Sequence, residues 1–254
     1  MTNEIKLLNG DVFEESDILE KMQGDAFYYG YLGKNALSSS MCKHLLDGPE
    51  AYALELNKES KEGEPQAFRD GRLIHLLALE PHRVDELTII ESTKGSKLYK
   101  LAVEEKPPQS VYTRAEFNRC TLVANAVLEN EDFKESVKKA EFEIPAIGFY
   151  NGLPFRGKAD ILLAGIVADL KTTSDISKFN ESAMLYNYDL QAALYLELFG
   201  AFEFKYIVVD KKTKEVKFIE FSEEFINSGY RKLDKATENY YKYEENKEFY
   251  NPKI

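Results

Sequence analysis

The stretch GLPFRGKADILLAGIVADLKTT, residues 152–173, constrains this chain more than any other. It reads as two β-rich runs joined at Ala164-Gly165, a dipeptide suited to a tight turn. With those two residues as the loop, Asp160 falls opposite Asp169, with Cβ atoms about 5 Å apart. Alternation then sorts the second strand: Ile166, Ala168 and Leu170 share a face suited to a core, and Val167, Asp169 and Lys171 share the other face with Asp160. Like charges directly opposite each other are destabilising unless something offsets them. A divalent cation does so, because hard cations prefer oxygen ligands. Lys171, on the same face, is then placed to orient a water or to stabilise charge developing on a phosphate. An isolated Asp-x-Lys triplet is common by chance, and the second carboxylate at hairpin distance lifts this one above that background.

The rest of the chain supplies layers for such a sheet. From Glu141 the pattern reads as strands at 141–146, 153–163 and 166–171, a strong helix at 180–199, strands Phe202–Asp210 and Glu215–Phe221, and a final helix at 222–246. Upstream, Glu4–Leu8 reads as a short strand within a mixed first stretch, 1–37. A helix through Met41–Leu46 takes Ser38 or Ser39 as its N-cap and is broken by Asp47-Gly48-Pro49. Residues 57–65 are a polar loop, Gln66–Leu79 a largely buried helix stopped by Pro81, and 91–110 a lysine-bearing mobile segment. Helices follow near 113–128 and 131–139. The expected architecture is one α/β domain, 1–254, in which 1–140 is a mainly helical elaboration and 141–254 holds the sheet and the last helix.

Two helices carry residues that stand out. Tyr188, Gln191 and Tyr195 share one face of the 180–199 helix by their spacing of three and four. Two aromatics there fit ordinary core packing, but an amide amid apolar neighbours needs partners. In the 66–79 helix, GRLIH sets Gly71, Arg72 and His75 on one side. A lone buried histidine is more often structural than a ligand, yet imidazole binds metal well beside a carboxylate pair.

Composition limits the setting. No run of about 18 apolar residues exists to span a membrane, and MTNEIKLLNG lacks a signal-peptide layout. Cys42 and Cys120 are too few for a disulfide framework or a four-cysteine metal site, which implies a reducing, cytoplasmic location. The net charge of −11 runs against a typical nucleic-acid binder, so a partner of that kind needs a local positive track.

The segments G-x-x-x-H (residues 71–75), G-K-A-D (157–160), D-L-K-T-T (169–173) and Y-D-L-Q-A-A-L-Y (188–195) follow one another in an order that resembles the PD-(D/E)XK nuclease superfamily. The similarity is to its RecB-like and exonuclease VIII (RecE)-like branch, over about 38–200 and the strands after it. ALSSSMCKHLLDGPEAY and FRDGRLIHLLALEP also resemble the opening of that branch. The resemblance implies a restriction-endonuclease-like mixed central β-sheet flanked by helices. It implies His75, Asp160, Asp169 and the Leu170 carbonyl as metal ligands, Lys171 as the catalytic lysine, and Gln191 and Tyr195 as the Q-x-x-x-Y motif that supports the site and touches the DNA strand. It further implies Mg²⁺, with Mn²⁺ able to substitute, and no iron–sulfur cluster, since four cysteines are lacking. The activity implied is exonucleolytic hydrolysis of linear DNA, 5′→3′, with a single-strand annealing protein as partner, a ring-like homo-oligomer, and a phage or prophage origin in a bacterial host. Arg69, Arg72, Lys94, Lys97, Lys100, Arg156 and Lys158 are candidates for the positive track. The alternative is a catalytically inactive DNA- or protein-binding accessory protein of the same fold, against which the intact Asp160, Asp169 and Lys171 set argues. No Gly-rich phosphate loop is present to support a nucleotide-dependent enzyme.

Overall fold

The computed structural model describes residues 4–57 and 64–250. Its centre is a five-stranded mixed sheet in sequential order: β1 (Glu141–Tyr150), β2 (Leu153–Leu163), β3 (Ile166–Thr173), β4 (Glu203–Asp210) and β5 (Val216–Glu220). All neighbours are antiparallel except β3 and β4, which run parallel. A parallel pair needs a crossover, and the helical stretch between Phe179 and Phe199 provides it.

The Ala164-Gly165 turn fixes the β2–β3 register at Leu163↔Ile166, Leu162↔Val167 and Ile161↔Ala168, as the hairpin reading requires. Both turn residues have positive φ, 48° and 85°, which is what a two-residue turn matching strand twist demands.

Both faces of the sheet are covered. On one side lie α1 (Ser39–Leu46), α4 (Tyr188–Phe199) and α5 (Glu223–Glu245), which bury Leu45, Leu190, Leu194, Leu233 and Tyr240 with Phe155, Val167, Phe204 and Tyr206. On the other lie α2 (Gln66–Leu79) and α3 (Arg114–Glu129), which bury Leu73, Ile74, Val123 and Val127 with Ile161, Ala168, Leu170 and Ile207. The Val167, Asp169 and Lys171 face is therefore not an open polar surface: Asp169 is 2% exposed beneath α4. Two-sided cover is usual where a sheet contains a parallel pair, and it removes clean apolar–polar alternation from the strands.

Caps set the helix limits. Ser38 accepts a hydrogen bond from the Met41 N–H and starts α1, and Thr113 and Glu116 form a capping box at α3. Gly48, at φ 116°, separates α1 from a helix opened by Pro49. Two expectations change. The 91–110 segment holds an ordered helix, Lys97–Glu105, capped by Ser96 and anchored by buried Tyr99, its lysines lying on the solvent side. The 180–199 helix is two helices, Phe179–Leu185 and α4, divided at Asn187, whose φ of 53° lies in the left-handed region that Asn tolerates better than most residues. Residues 58–63 of the expected polar loop lie outside the described residues. The N-terminal part holds a strand pair, Glu4–Lys6 with Val12–Glu14, and short helices whose buried residues Ile18, Met22, Tyr28 and Leu32 pack with Ile147 of β1.

Candidate active site

Beyond Ile161↔Ala168 the β2–β3 ladder stops. Asp160 occupies the opening, and its Oδ2 accepts the Leu170 backbone N–H at 2.8 Å. The same oxygen lies 2.9 Å from His75 Nε2, which α2 brings down over the strand ends. Asp169 sits on β3 facing α4, where Gln191 Nε2 donates to its Oδ1 at 2.6 Å and Lys171 Nζ lies 2.5 Å from Oδ2. The odd amide on α4 thus has a defined use, fixing one carboxylate oxygen of Asp169. His75, Asp160, Asp169, Leu170, Lys171 and Gln191 are brought together by four elements, α2, β2, β3 and α4, that the chain order separates.

Two carboxylates that the motifs did not assign complete the cluster. Glu143, on β1, lies 3.5 Å from His75 Nε2 through Oε1. Glu80 follows the last turn of α2, and ligand atoms of His75, Glu80 and Glu143 all lie within 4.8 Å of one another, a spacing that can hold a metal ion. Glu80 lies inside the LEP segment already singled out. Glu143 had a weaker signal, a charged residue at the centre of an apolar strand, EFEIP.

The electrostatics follow from burying four acids with few cations. Burial pushes the Glu143 carboxyl up to about 7, with the Asp160 charge adding to the rise and His75 opposing it. Burial and the Asp160 charge push Asp169 up to about 6, against the pull of Lys171. Burial also works against ionising Asp160, but the charge and hydrogen bond of His75, with Lys171 and the Leu170 N–H, outweigh it and hold the carboxyl below its ordinary value. Burial lowers the His75 imidazole, yet Asp160 and Glu143 outweigh it and raise it to about 9. Lys171 is likewise desolvated, and Asp169 and Asp160 raise it above the ordinary lysine value.

Glu143 Oε1 is buried without a hydrogen bond, its nearest donor His75 Nε2 lying 3.5 Å away, and buried Asp169 Oδ2 has only its ion pair with Lys171. Buried carboxylate oxygens left in that state are costly. Oxygen-rich donors with one imidazole suit a hard divalent cation, so the residues present fit a metal.

The residues expected on the positive track separate. Arg72 is exposed and pairs with Glu64. Lys158 borders the cluster, its Nζ 3.7 Å from Glu143 and 5.2 Å from the Tyr28 ring centroid. Arg156 is 7% exposed, stacks on Tyr28 and donates to the Leu32 carbonyl, so its guanidinium holds the N-terminal segment to the sheet. Arg69 is 6% exposed and donates to the Val111 and Pro108 carbonyls. Lys94 pairs with Glu116, away from the cluster. Tyr195 is buried, its ring against Gly157 and its Oη accepting the Lys158 backbone N–H at 3.4 Å. That packing tethers α4 to β2 and leaves little of the ring free for a strand of DNA.

Among solved structures, a "putative exonuclease" from Eubacterium rectale superposes with a TM-score of 0.62 at 16% identity, covering 85% of this chain and 86% of that one. A phage-related exonuclease from Haemophilus somnus 129PT aligns with a TM-score of 0.36 at 12% identity, over 87% of this chain and 90% of that one. No curated protein sequence matches the chain significantly. The fold of the first of these structures is the fold described above, a mixed sheet flanked by helices. A family model, the PDDEXK-like domain of unknown function (DUF3799), matches residues 38–251, a span that includes α1 and every residue of the acidic cluster, and the chain belongs to that family.

Proposed function

We propose that this protein is a divalent-metal-dependent DNA exonuclease. The observation that carries the reading is the convergence of His75, Asp160, Asp169 and Lys171 from α2, β2 and β3 into one buried acidic cluster, to which Glu143 adds a carboxylate oxygen without a hydrogen bond. Membership of a PDDEXK-like family and the exonuclease name of the Eubacterium rectale structure support it.

In this reading Asp160, Asp169, His75 and the Leu170 carbonyl hold the cation, with Glu143 and Glu80 as additional oxygen donors on the His75 side. Bound there, a divalent cation lowers the pKa of water and offsets the charge of the phosphate. The remaining work belongs to the chain. Gln191 fixes the rotamer of Asp169 through one oxygen and turns the other toward the Lys171 ammonium. The Lys171 ammonium, 20% exposed, reaches the edge of the cluster, where it orients the attacking water and meets charge developing on the phosphate. His75 is positioned by the Asp160 oxygen that also accepts the Leu170 N–H, so helix and strand share one fixed point.

The finer reading is resection of linear duplex ends, 5′→3′, in phage-type recombination, with Mg²⁺ as the working metal, an annealing protein as partner and a ring-like oligomer. The deciding experiment is degradation of 5′- and 3′-end-labelled linear DNA and of closed circular DNA with Mg²⁺, Mn²⁺ or EDTA. Loss of label from linear DNA only, abolished by EDTA, is the expected result. An absence of metal-stimulated cleavage on every substrate would leave the inactive accessory protein as the correct reading.

A further inference from the structure

Tyr188 opens α4, and its ring lies near two ammonium groups, with Lys171 Nζ 5.1 Å and Lys43 Nζ 5.3 Å from the centroid. Lys171 has Asp169 as its counter-charge. Lys43, on α1, has none at that distance: among the described residues it forms no ion pair, and Asp169 and Asp189 act on it only from farther away. Burial and then the neighbouring Lys171 charge pull its pKa down to about 8. A half-buried cation crowded by a second cation is favourable only if an anion joins them.

Outward from Tyr188 stands Tyr186, their ring centroids 6.0 Å apart. Tyr186 is 54% exposed, and Leu185 beside it is 74% exposed. Both crown the helix break at Asn187, where a left-handed residue turns the chain out to solvent instead of continuing the helix. Around the Tyr188 ring the structure therefore offers an ammonium with no paired anion and a largely exposed second ring. A nucleotide presents the matching pair, a phosphate and a flat base.

We propose that Lys43 and Tyr186 form a subsite for the nucleotide next to the scissile phosphodiester, with its phosphate on Lys43 and its unpaired base stacked on Tyr186. This rests on the nuclease reading above and deepens it, because it names the substrate class. A base still stacked within a duplex cannot also lie on Tyr186, so the favoured substrate is a single-stranded or frayed end.

The test uses a single-stranded oligonucleotide with 2-aminopurine at its terminal positions, bound to the full chain with Ca²⁺ in place of Mg²⁺. Wild-type protein quenches the fluorescence through stacking. Tyr186→Ala removes the quenching and weakens binding on the order of 10-fold, the usual scale for one aromatic stack, while Tyr186→Phe keeps both. Lys43→Met lowers the slope of log affinity against log salt by about 0.7, the value for one phosphate contact on a single strand, Lys43→Arg restores it, and the remote Lys235→Met leaves it unchanged. Quenching that survives Tyr186→Ala, or a salt slope untouched by Lys43→Met, overturns the subsite. If wild-type protein cleaves DNA and the variants match it, only the subsite is wrong. If wild-type protein binds and cleaves no DNA, the nuclease reading falls and the subsite with it.

Discussion

Glu143 faces Asp160 across the β1–β2 pair at the one position where that ladder is interrupted, between Phe142↔Ile161 and Ile144↔Ala159. Its φ of 54° places a β-strand glutamate in the left-handed region, which is costly for any residue with a Cβ. A strained backbone that aims a carboxylate at His75 and Asp160 is the pattern expected where geometry serves a ligand. Glu143→Gln should therefore weaken Mn²⁺ binding on the order of 10-fold, the scale for losing one charge-assisted contact, with little loss of folding stability. Isothermal titration of Mn²⁺ into both proteins checks this, and equal affinities would remove Glu143 from the metal site.

Asp169→Asn and Lys171→Ala should each lower degradation of end-labelled linear DNA by at least about 100-fold, the scale for removing one preorganised charge-stabilising group. Asp169 is buried, so circular dichroism and a melting curve must accompany the assay. In Asp169→Asn the Gln191 amide keeps an acceptor, which should preserve the fold. Activity within a few-fold of wild type, in either folded variant, places the chemistry elsewhere.

The metal-free protein should lose stability as pH rises from about 5 to about 9. Asp169, raised to about 6, and Glu143, raised to about 7, are more easily protonated folded than unfolded, so each opposes folding as the pH climbs from the ordinary carboxylate range through its raised pKa. His75 acts in the same direction, since an imidazole raised to about 9 contributes stability that is present below its ordinary pKa and lost as pH passes the folded value. Asp160, lowered, contributes only at the acid end, where its stabilisation fades as the carboxyl protonates. Mg²⁺ should reverse the trend by binding the ionised carboxylates. Melting temperatures across this range, with and without metal, measure it, and a metal-free midpoint that rises steadily with pH contradicts it.

Gly229→Ala should destabilise the fold by about 3 kcal/mol, at the upper end of overpacking costs. A Cβ at Gly229 of α5 would collide with the Asp189 carbonyl of α4 and come within 2.9 Å of Ala193 Cβ. Backbone cannot give way as a flexible side chain does, so α4 must shift, carrying Gln191 with it. Urea denaturation gives the number, and a midpoint equal to wild type would show that the helices have slack.

Arg72→Glu should weaken Ca²⁺-supported DNA binding several-fold at low salt and much less at high salt, because surface charge is screened beyond about a Debye length. Arg72 is exposed on the helix that carries His75 and is held by Glu64. Lys235→Glu on α5, far along the chain from the cluster, serves as the control. Equal losses at the two sites mean that net charge, and not a local track, governs binding.

Much of this arrangement was legible in the residues themselves. Ala164-Gly165 admits one tight turn, and the turn fixes the register through Ile161↔Ala168, where the ladder ends; Asp160, the next residue, is unpaired in it and accepts the Leu170 N–H instead of standing in register with Asp169. Pro81, Gly48 and the Ser38 cap bound their helices because each acts within a few residues of where it stands. What tertiary structure decided is what depends on approach between distant segments. Asp169 reads as a residue on a polar face, yet α4 covers that face and buries it. Arg156 reads as a surface cation, yet the N-terminal segment folds over it and engages it through Tyr28 and Leu32. The meeting of Glu143 with His75 and Glu80, and of Lys43 with Lys171 and Tyr188, brings together segments more than sixty positions apart in the chain. Turn chemistry, caps and periodicity are local forces, and they act through the sequence alone. Burial, ion pairing and the pKa shifts that follow from them depend on which surfaces pack together, and only the assembled sheet with both helical layers in place determines that.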